Sequence, residues 1–122
     1  MDLFLVFAYQ DLAFAEGLAD IFRRSSLEVG PGLSLWPGMR LLALVDQGLV
    51  SSRHAVVIVS HEFLKFSYPR KELDGLTTRR RVVSVFHGID EEDVRDHSSR
   101  LAVACHCEAM AERLPRLFLP AE

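Results

Sequence analysis

Cysteine is almost absent. Only Cys105 and Cys107 occur in 122 residues, and with a single residue between them they sit too close for ordinary disulfide geometry. A stapled, secreted scaffold is therefore excluded. Long apolar runs are missing too. The N-terminal stretch 3–8 has six apolar residues, far short of a membrane span, and it lacks the basic flank and small-residue cleavage site of a signal peptide. The expectation is a cytoplasmic protein with no membrane partner. Basic charge is scarce: a net charge of −3 and a pI near 5.9 argue against direct nucleic-acid binding, which needs a concentrated basic face. The run Arg79-Arg80-Arg81 reads as a solvated loop before a strand. No phosphate-binding glycine loop, His-x-x-x-His pair or Gly-x-Ser-x-Gly elbow occurs, which removes most familiar enzyme classes. Cys105, His106 and Cys107, with His97 upstream, could be imagined as metal ligands. Structural zinc, however, normally draws on two well-spaced pairs, so no metal is expected.

What is present describes a globular domain. The chain is 49% hydrophobic and 25% charged, too apolar for disorder, and its length suits one domain over residues 1–122 with one compact core. No linker, repeat or low-complexity stretch interrupts it. Short β-like apolar runs alternate with longer helix-like ones, the signature of an α/β fold with a mostly parallel sheet.

The run 3–9 is continuously apolar and rich in aromatic and branched residues, as a central strand covered on both faces should be. From Asp11, a suitable N-cap, Phe14, Ala15, Leu18, Ile21 and Phe22 recur at helical steps up to Arg24. A short strand is expected at 27–29, ended by Gly30-Pro31-Gly32, then a long surface loop with a second turn at Trp36-Pro37-Gly38. A helix over 41–49, a buried strand over 55–59, a helix starting near Pro69 and a strand over 82–86 follow. A short helix at 91–95, a last strand at 101–105 and a closing helix at 108–118 complete the reading. Five strands alternating with helices predict a flavodoxin-like doubly wound five-stranded parallel sheet with helices on both faces, whose sites lie outside the carboxyl ends of the strands.

Those ends gather Tyr9, Gln10, Asp11, Ser60, Glu62 and Glu72, with Tyr68 four residues before Glu72 on the same helix face. An aromatic ring beside a carboxylate can hold a nucleoside by stacking and by hydrogen bonds to ribose hydroxyls. By periodicity alone, Glu72 reads as an exposed helix residue paired with Arg70 or Lys71.

Several segments in order resemble a Toll/interleukin-1 receptor (TIR) domain of the bacterial, NAD-cleaving type, from residue 2 to about residue 118. Asp2-Leu3-Phe4-Leu5-Val6-Phe7-Ala8-Tyr9 is similar to the family's first strand. Trp36-Pro37-Gly38-Met39-Arg40 is similar to its BB loop. Asp46-Gln47-Gly48-Leu49-Val50-Ser51-Ser52-Arg53 resembles the Gly-Leu-x-x-Ser-Arg stretch, and Val85-Phe86-His87-Gly88-Ile89 the stretch around its fourth strand. The segment from His61 to Leu76, ending Tyr68-Pro69-Arg70-Lys71-Glu72-Leu73-Asp74-Gly75-Leu76, resembles a phenylalanine-rich segment followed by Trp-Pro-x-x-Glu-Leu-Asp-Gly-Leu. Two departures stand out: Tyr68 replaces the family's tryptophan, and Ala8 replaces a common serine.

The resemblance implies an NAD+ glycohydrolase of bacterial antiviral defence, with Glu72 as the catalytic carboxylate. Phe7, Ala8, Tyr9, Trp36 and Tyr68 would bind the substrate. NAD+ would be substrate, with no cofactor and no metal. It also implies activation by head-to-tail assembly with other TIR domains through Trp36, Pro37, Gly38, Met39 and Arg40 of the BB loop, giving filaments. The chain is then expected to be the N-terminal effector part of a longer protein, working with a sensor domain for a nucleotide or infection signal. The rival reading from the same resemblance is a TIR–TIR adaptor that cleaves nothing.

Overall fold

The structure, a computed structural model, describes residues 1–119. Its centre is β1 (Leu3–Ala8), buried along its whole length. β3 (His54–Val59) lies on one side of it and β2 (Leu33–Leu35) on the other, and β4 (Val82–Phe86) pairs with β3. All pairings are parallel and the order is β2-β1-β3-β4. Because side chains alternate across a strand, the apolar runs feed two cores, one on each face of the sheet. Leu3, Leu5, Phe7, Val56 and Ile58 pack with α1 (Leu12–Arg24) through Ala15, Leu18 and Phe22. Phe4, Val6, Ala8, Val57 and Val59 pack on the opposite face with Leu41 and Val45 of α2 (Leu41–Gly48) and with Phe63 and Leu64 of α3 (His61–Leu64). Leu73 and Leu76 of α4 (Arg70–Thr78) and Leu101 of α6 (Ser99–Ala104) complete that core. Between α4 and α6, α5 (Glu91–Arg95) begins with a capping box of Asp90 and Asp93, which satisfies first-turn donors that would otherwise lack partners.

Four strands are present among the described residues, where five were expected. Of the run 101–105, residues 101–104 are helical and only Cys105, which ends α6, is extended: α6 opens on the Ser98 hydroxyl, which accepts the Leu101 N–H. A five-residue apolar run does not distinguish strand from buried helix by period, and here the cap and the burial of Leu101 and Ala102 decide it. Beside β4 the chain makes a single bridge, in which Phe86 N–H donates to the His106 carbonyl and His106 N–H to that of Ser84. The closing segment Glu108–Leu117 is a 3-10 helix containing Pro115.

A second correction concerns the first crossover. Residues 27–29 contribute one bridge, Leu3 to Val29, and the strand forms later, inside the stretch expected as loop. Leu33 and Leu35 flank Ser34 with the period of two that a strand needs, and Leu35 is fully buried. Gly32 permits this path, since a Cβ there would lie 2.8 Å from the Phe7 ring. Asp11 stands at the N-cap position of α1 as expected, but its side chain makes no capping hydrogen bond: it is buried, and its carboxylate accepts the hydroxyl of Ser60 instead.

Candidate active site

Parallel strands bring their carboxyl ends to one edge of the sheet, so the segments after β1, β2 and β3 meet there. After β1 the chain turns through a single 3-10 turn, Tyr9–Asp11. After β3, Ser60 caps α3 by accepting the Phe63 N–H at 3.0 Å while donating to Asp11. One buried serine thus fastens the end of β3 to the end of β1. After β2, Trp36-Pro37-Gly38-Met39 forms a turn closed by the Met39 N–H on the Trp36 carbonyl at 3.3 Å. Gly38 sits at φ 88°, the left-handed value required two residues into a type II turn after proline.

These loops carry a continuous row of aromatic rings. The indole of Trp36 stacks on Tyr9 with centroids 4.1 Å apart and planes 7° from parallel. Phe66 lies 6.4 Å from Tyr9 and 6.1 Å from Tyr68, and Tyr68 is 5.5 Å from Phe63. Trp36 is 50% exposed and Tyr9 37%, so the outer end of the row faces solvent. Its inner end does not. The Tyr68 hydroxyl is buried and has no hydrogen-bond partner, alone in this among the side chains of the described residues. Burial, and then the negative charge of Glu72, push its ionisation up to about 12, so the phenol remains a proton donor at neutral pH.

Glu72 is half-buried in the first turn of α4, after Pro69 has ended the extended approach to the helix. Neither Arg70 nor Lys71 pairs with it. Its Oε1 faces the N–H of Leu42 at a long 3.5 Å, in the first turn of α2, where helix N–H groups have no partner of their own. A carboxylate is favoured there by the helix dipole. Glu72 thus touches the start of α2, which directly follows the Trp36–Arg40 stretch, and its charge reaches the Tyr68 hydroxyl.

The structure therefore brings together Tyr9, Trp36, Tyr68 and Glu72. Phe7 and Ala8 stand apart from them as core residues, 3% and 0% exposed. Phe7 points to the α1 face, where it lines a cavity of about 250 Å³ with Leu12, Glu16 and Ser34. Pro37, Met39 and Arg40 are solvent-facing, with Met39 39% exposed and its sulfur accepting the Trp36 backbone N–H at 3.4 Å. Two members escaped the sequence reading. Phe66, which links Tyr9 to Tyr68, was visible only as part of a phenylalanine-rich segment. The Leu42 N–H is a backbone group and leaves no trace in residue type.

Other titratable groups at this edge have structural tasks. Glu108 accepts the Gly88 N–H at 2.8 Å and lies 2.9 Å from His87 Nδ1. Desolvation pulls its acidity toward higher pH, but the Gly88 and His87 contacts together outweigh it and hold the carboxyl below its usual range. The His87 ring stacks on Phe14 at 3.9 Å. Cys105 is half-buried and its thiol is pushed up to about 12 by burial; Cys107 is exposed. No helix among the described residues is long and apolar enough to cross a membrane.

No family model matches the chain. Over 108 residues, 83% of its length, it is 37% identical to a Paracoccus denitrificans (strain Pd 1222) protein named NAD(+) hydrolase PdTIR. Over 108 residues it is also 33% identical to NAD(+) hydrolase TcpA of Theionarchaea archaeon (strain DG-70-1) and 32% identical to 2' cyclic ADP-D-ribose synthase AbTIR of Acinetobacter baumannii (strain 1295743), with 83% of the chain covered in each. The matched region spans 36%, 33% and 40% of those three proteins.

Proposed function

Since the chain belongs to the TIR-domain family, we propose that it is an NAD+ glycohydrolase that breaks the bond between nicotinamide and ribose, with Glu72 as the catalytic carboxylate. The observation that carries this reading is the placement of Glu72, half-buried beside the unpartnered Tyr68 hydroxyl at the edge where the exposed Tyr9–Trp36 stack begins. The names of two of the three relatives, both NAD(+) hydrolases, support NAD+ as the substrate class. The four strands in the order β2-β1-β3-β4 fit the flavodoxin-like doubly wound arrangement, with the His106 bridge at the fifth position.

Cleavage transfers the electron pair of the C1'–N bond to nicotinamide, whose ring nitrogen loses its positive charge, and leaves an oxocarbenium-like ribose. A carboxylate beside the ribose binds its hydroxyls and stabilises this developing charge, an electrostatic contribution on the order of a few kcal/mol in a site that excludes water. Tyr68, protonated, leaves a neutral phenol next to the Glu72 charge, and Tyr9 and Trp36 offer faces for stacking a base. Attack by water gives ADP-ribose, and attack by a nucleophile within the substrate gives a cyclic product; both follow the same first step.

The finer parts of the proposal concern context. Trp36, Pro37, Gly38, Met39 and Arg40 form an exposed loop with apolar side chains, suited to docking on a second TIR domain head to tail. A contact of that kind propagates into filaments instead of closing on itself, and we assign activation to it. The relatives are about two and a half to three times as long as the matched region, in keeping with a sensor domain joined to a cytoplasmic effector of antiviral defence.

The test is nicotinamide release from NAD+ by the wild type and by Glu72→Gln, dilute and again on an oligomerising fusion. The expected result is release that rises on assembly and falls by at least about a hundredfold in the variant. Equal release by Glu72→Gln removes the catalytic role of Glu72, and no release by either protein in any state leaves the adaptor reading in its place.

A further inference from the structure

α2 and α4 are joined by three contacts that lead, rung by rung, to the Glu72 carboxylate. At the far end Arg79 grips Asp46 with two hydrogen bonds, Nε to Oδ1 at 2.7 Å and Nη2 to Oδ2 at 2.9 Å. In the middle the helices approach closely: a Cβ on Gly75 would lie 2.6 Å from Leu42 Cδ1 and 3.2 Å from Arg79 Nη1. At the near end Leu42 N–H faces Glu72. Positions 42 and 46 share one face of α2, and 72, 75 and 79 one face of α4 and its end, so the three contacts set a single register between the helices.

We propose that Gly75 and the Arg79–Asp46 pair are positioning residues, which hold α4 so that the Glu72 carboxylate stays seated on the first turn of α2. This rests on the assignment of Glu72 as the catalytic carboxylate. The geometry gives the contacts a role beyond stability. The ion pair is partly exposed, with side-chain accessibilities of 28% and 53%, and such pairs stabilise a fold only slightly. A bidentate arginine–carboxylate pair nevertheless fixes orientation sharply. Gly75 sits in a helix interior, where glycine lowers stability, and what it provides is the space Leu42 occupies.

The experiment reads kcat and KM for nicotinamide release by the full chain, in its assembled state, for Gly75→Val, Gly75→Val with Leu42→Ala, and Asp46→Ala. A displacement near 1 Å costs up to about a hundredfold in rate, so kcat is expected to fall roughly tenfold or more in both single variants, with KM little changed. Shortening Leu42 is expected to restore most of the loss caused by Gly75→Val. Wild-type kcat in either single variant, or a double variant that regains melting temperature but not kcat, overturns the proposal. A readout independent of turnover separates this from failure of the NADase reading. In 15N-labelled protein the Leu42 amide shift is expected to change on Glu72→Gln, and to change less when the same substitution is made in a Gly75→Val background. An undiminished change in the Gly75→Val background refutes the positioning role even if the wild type cleaves no NAD+.

Discussion

Replacing Gly48 by alanine sets two effects of opposite sign against each other. Gly48 is the last residue of α2, and alanine is favoured over glycine in a helix by at most about 1 kcal/mol, less at an end. A Cβ there would lie 2.3, 2.5 and 2.9 Å from three atoms of the Phe4 ring, distances that cannot persist. Phe4 is 4% exposed and lies in the core beneath α2. Holding the ring in place and forcing α2 outward is overpacking, at about 1–3 kcal/mol. Turning the ring toward the groove it lines with Pro31, Leu33 and Leu44 gives up part of an aromatic burial worth about 1.5–3 kcal/mol. Either response outweighs the propensity gain, for a net loss of about 1–2 kcal/mol and a melting temperature lower by about 3–8 °C in a chain of this size. Gly17→Ala is the internal control. It lies in the interior of α1 with nothing within 4 Å of the added carbon, so it should stabilise by about 0.5–1 kcal/mol. Thermal and urea unfolding followed by circular dichroism measure both. A Gly48→Ala protein as stable as wild type, with an unchanged urea slope, refutes the steric argument.

Further outcomes follow from single contacts. Ser60→Ala removes both the cap on Phe63 N–H and the hydroxyl on buried Asp11; stability measured in urea should fall by about 1–3 kcal/mol, and a loss under about 0.5 kcal/mol contradicts it. The folded pKa of Tyr68 is raised from 10.0 to about 12, so its contribution is fully present below pH 10 and is lost as pH rises through about 12. Melting curves in this window should fall less steeply for Tyr68→Phe than for wild type. Glu108 is shifted the other way: its contribution is present above the ordinary glutamate value and is lost as pH falls through the depressed one, so Glu108→Gln should flatten the acid side of the profile. At pH 8 a thiol reagent should modify the exposed Cys107 and spare Cys105, whose thiol ionises near 12, until denaturant is added; rapid labelling of both in native protein goes against the burial of Cys105.

Legibility along the chain tracked the kind of force at work. β1, β3 and β4, with α1, α2, α4 and α5, were readable because buried runs, helical spacing and a proline before α4 are local features of the chain. α3 leaves no signature in the sequence: four residues carry no period, and only the Ser60 cap marks its start. The run 101–105 was read as strand because Leu-Ala-Val-Ala-Cys suits either state, and the deciding contacts, such as the Ser98 hydroxyl on Asp74, lie far away in sequence. β2 was displaced by several residues because the long crossover offers two apolar segments to the same edge of β1, and the pairing of Val6 with Leu33 selects the later one.

The sequence by itself determined an α/β domain, the resemblance that singles out Glu72, and the Pro37-Gly38 turn, since each depends on composition, order or local backbone preference. Only the tertiary structure decided that Trp36 lies flat on Tyr9, that the Tyr68 hydroxyl is buried without a partner, and that Glu72 faces the first turn of α2 and not a neighbouring cation. Phe7 and Ala8, adjacent in sequence, were sent to opposite faces of the sheet. The physical reason is that hydrogen bonds, ring contacts and steric limits between residues tens of positions apart depend on register between elements, and register exists only once both cores have closed around the sheet.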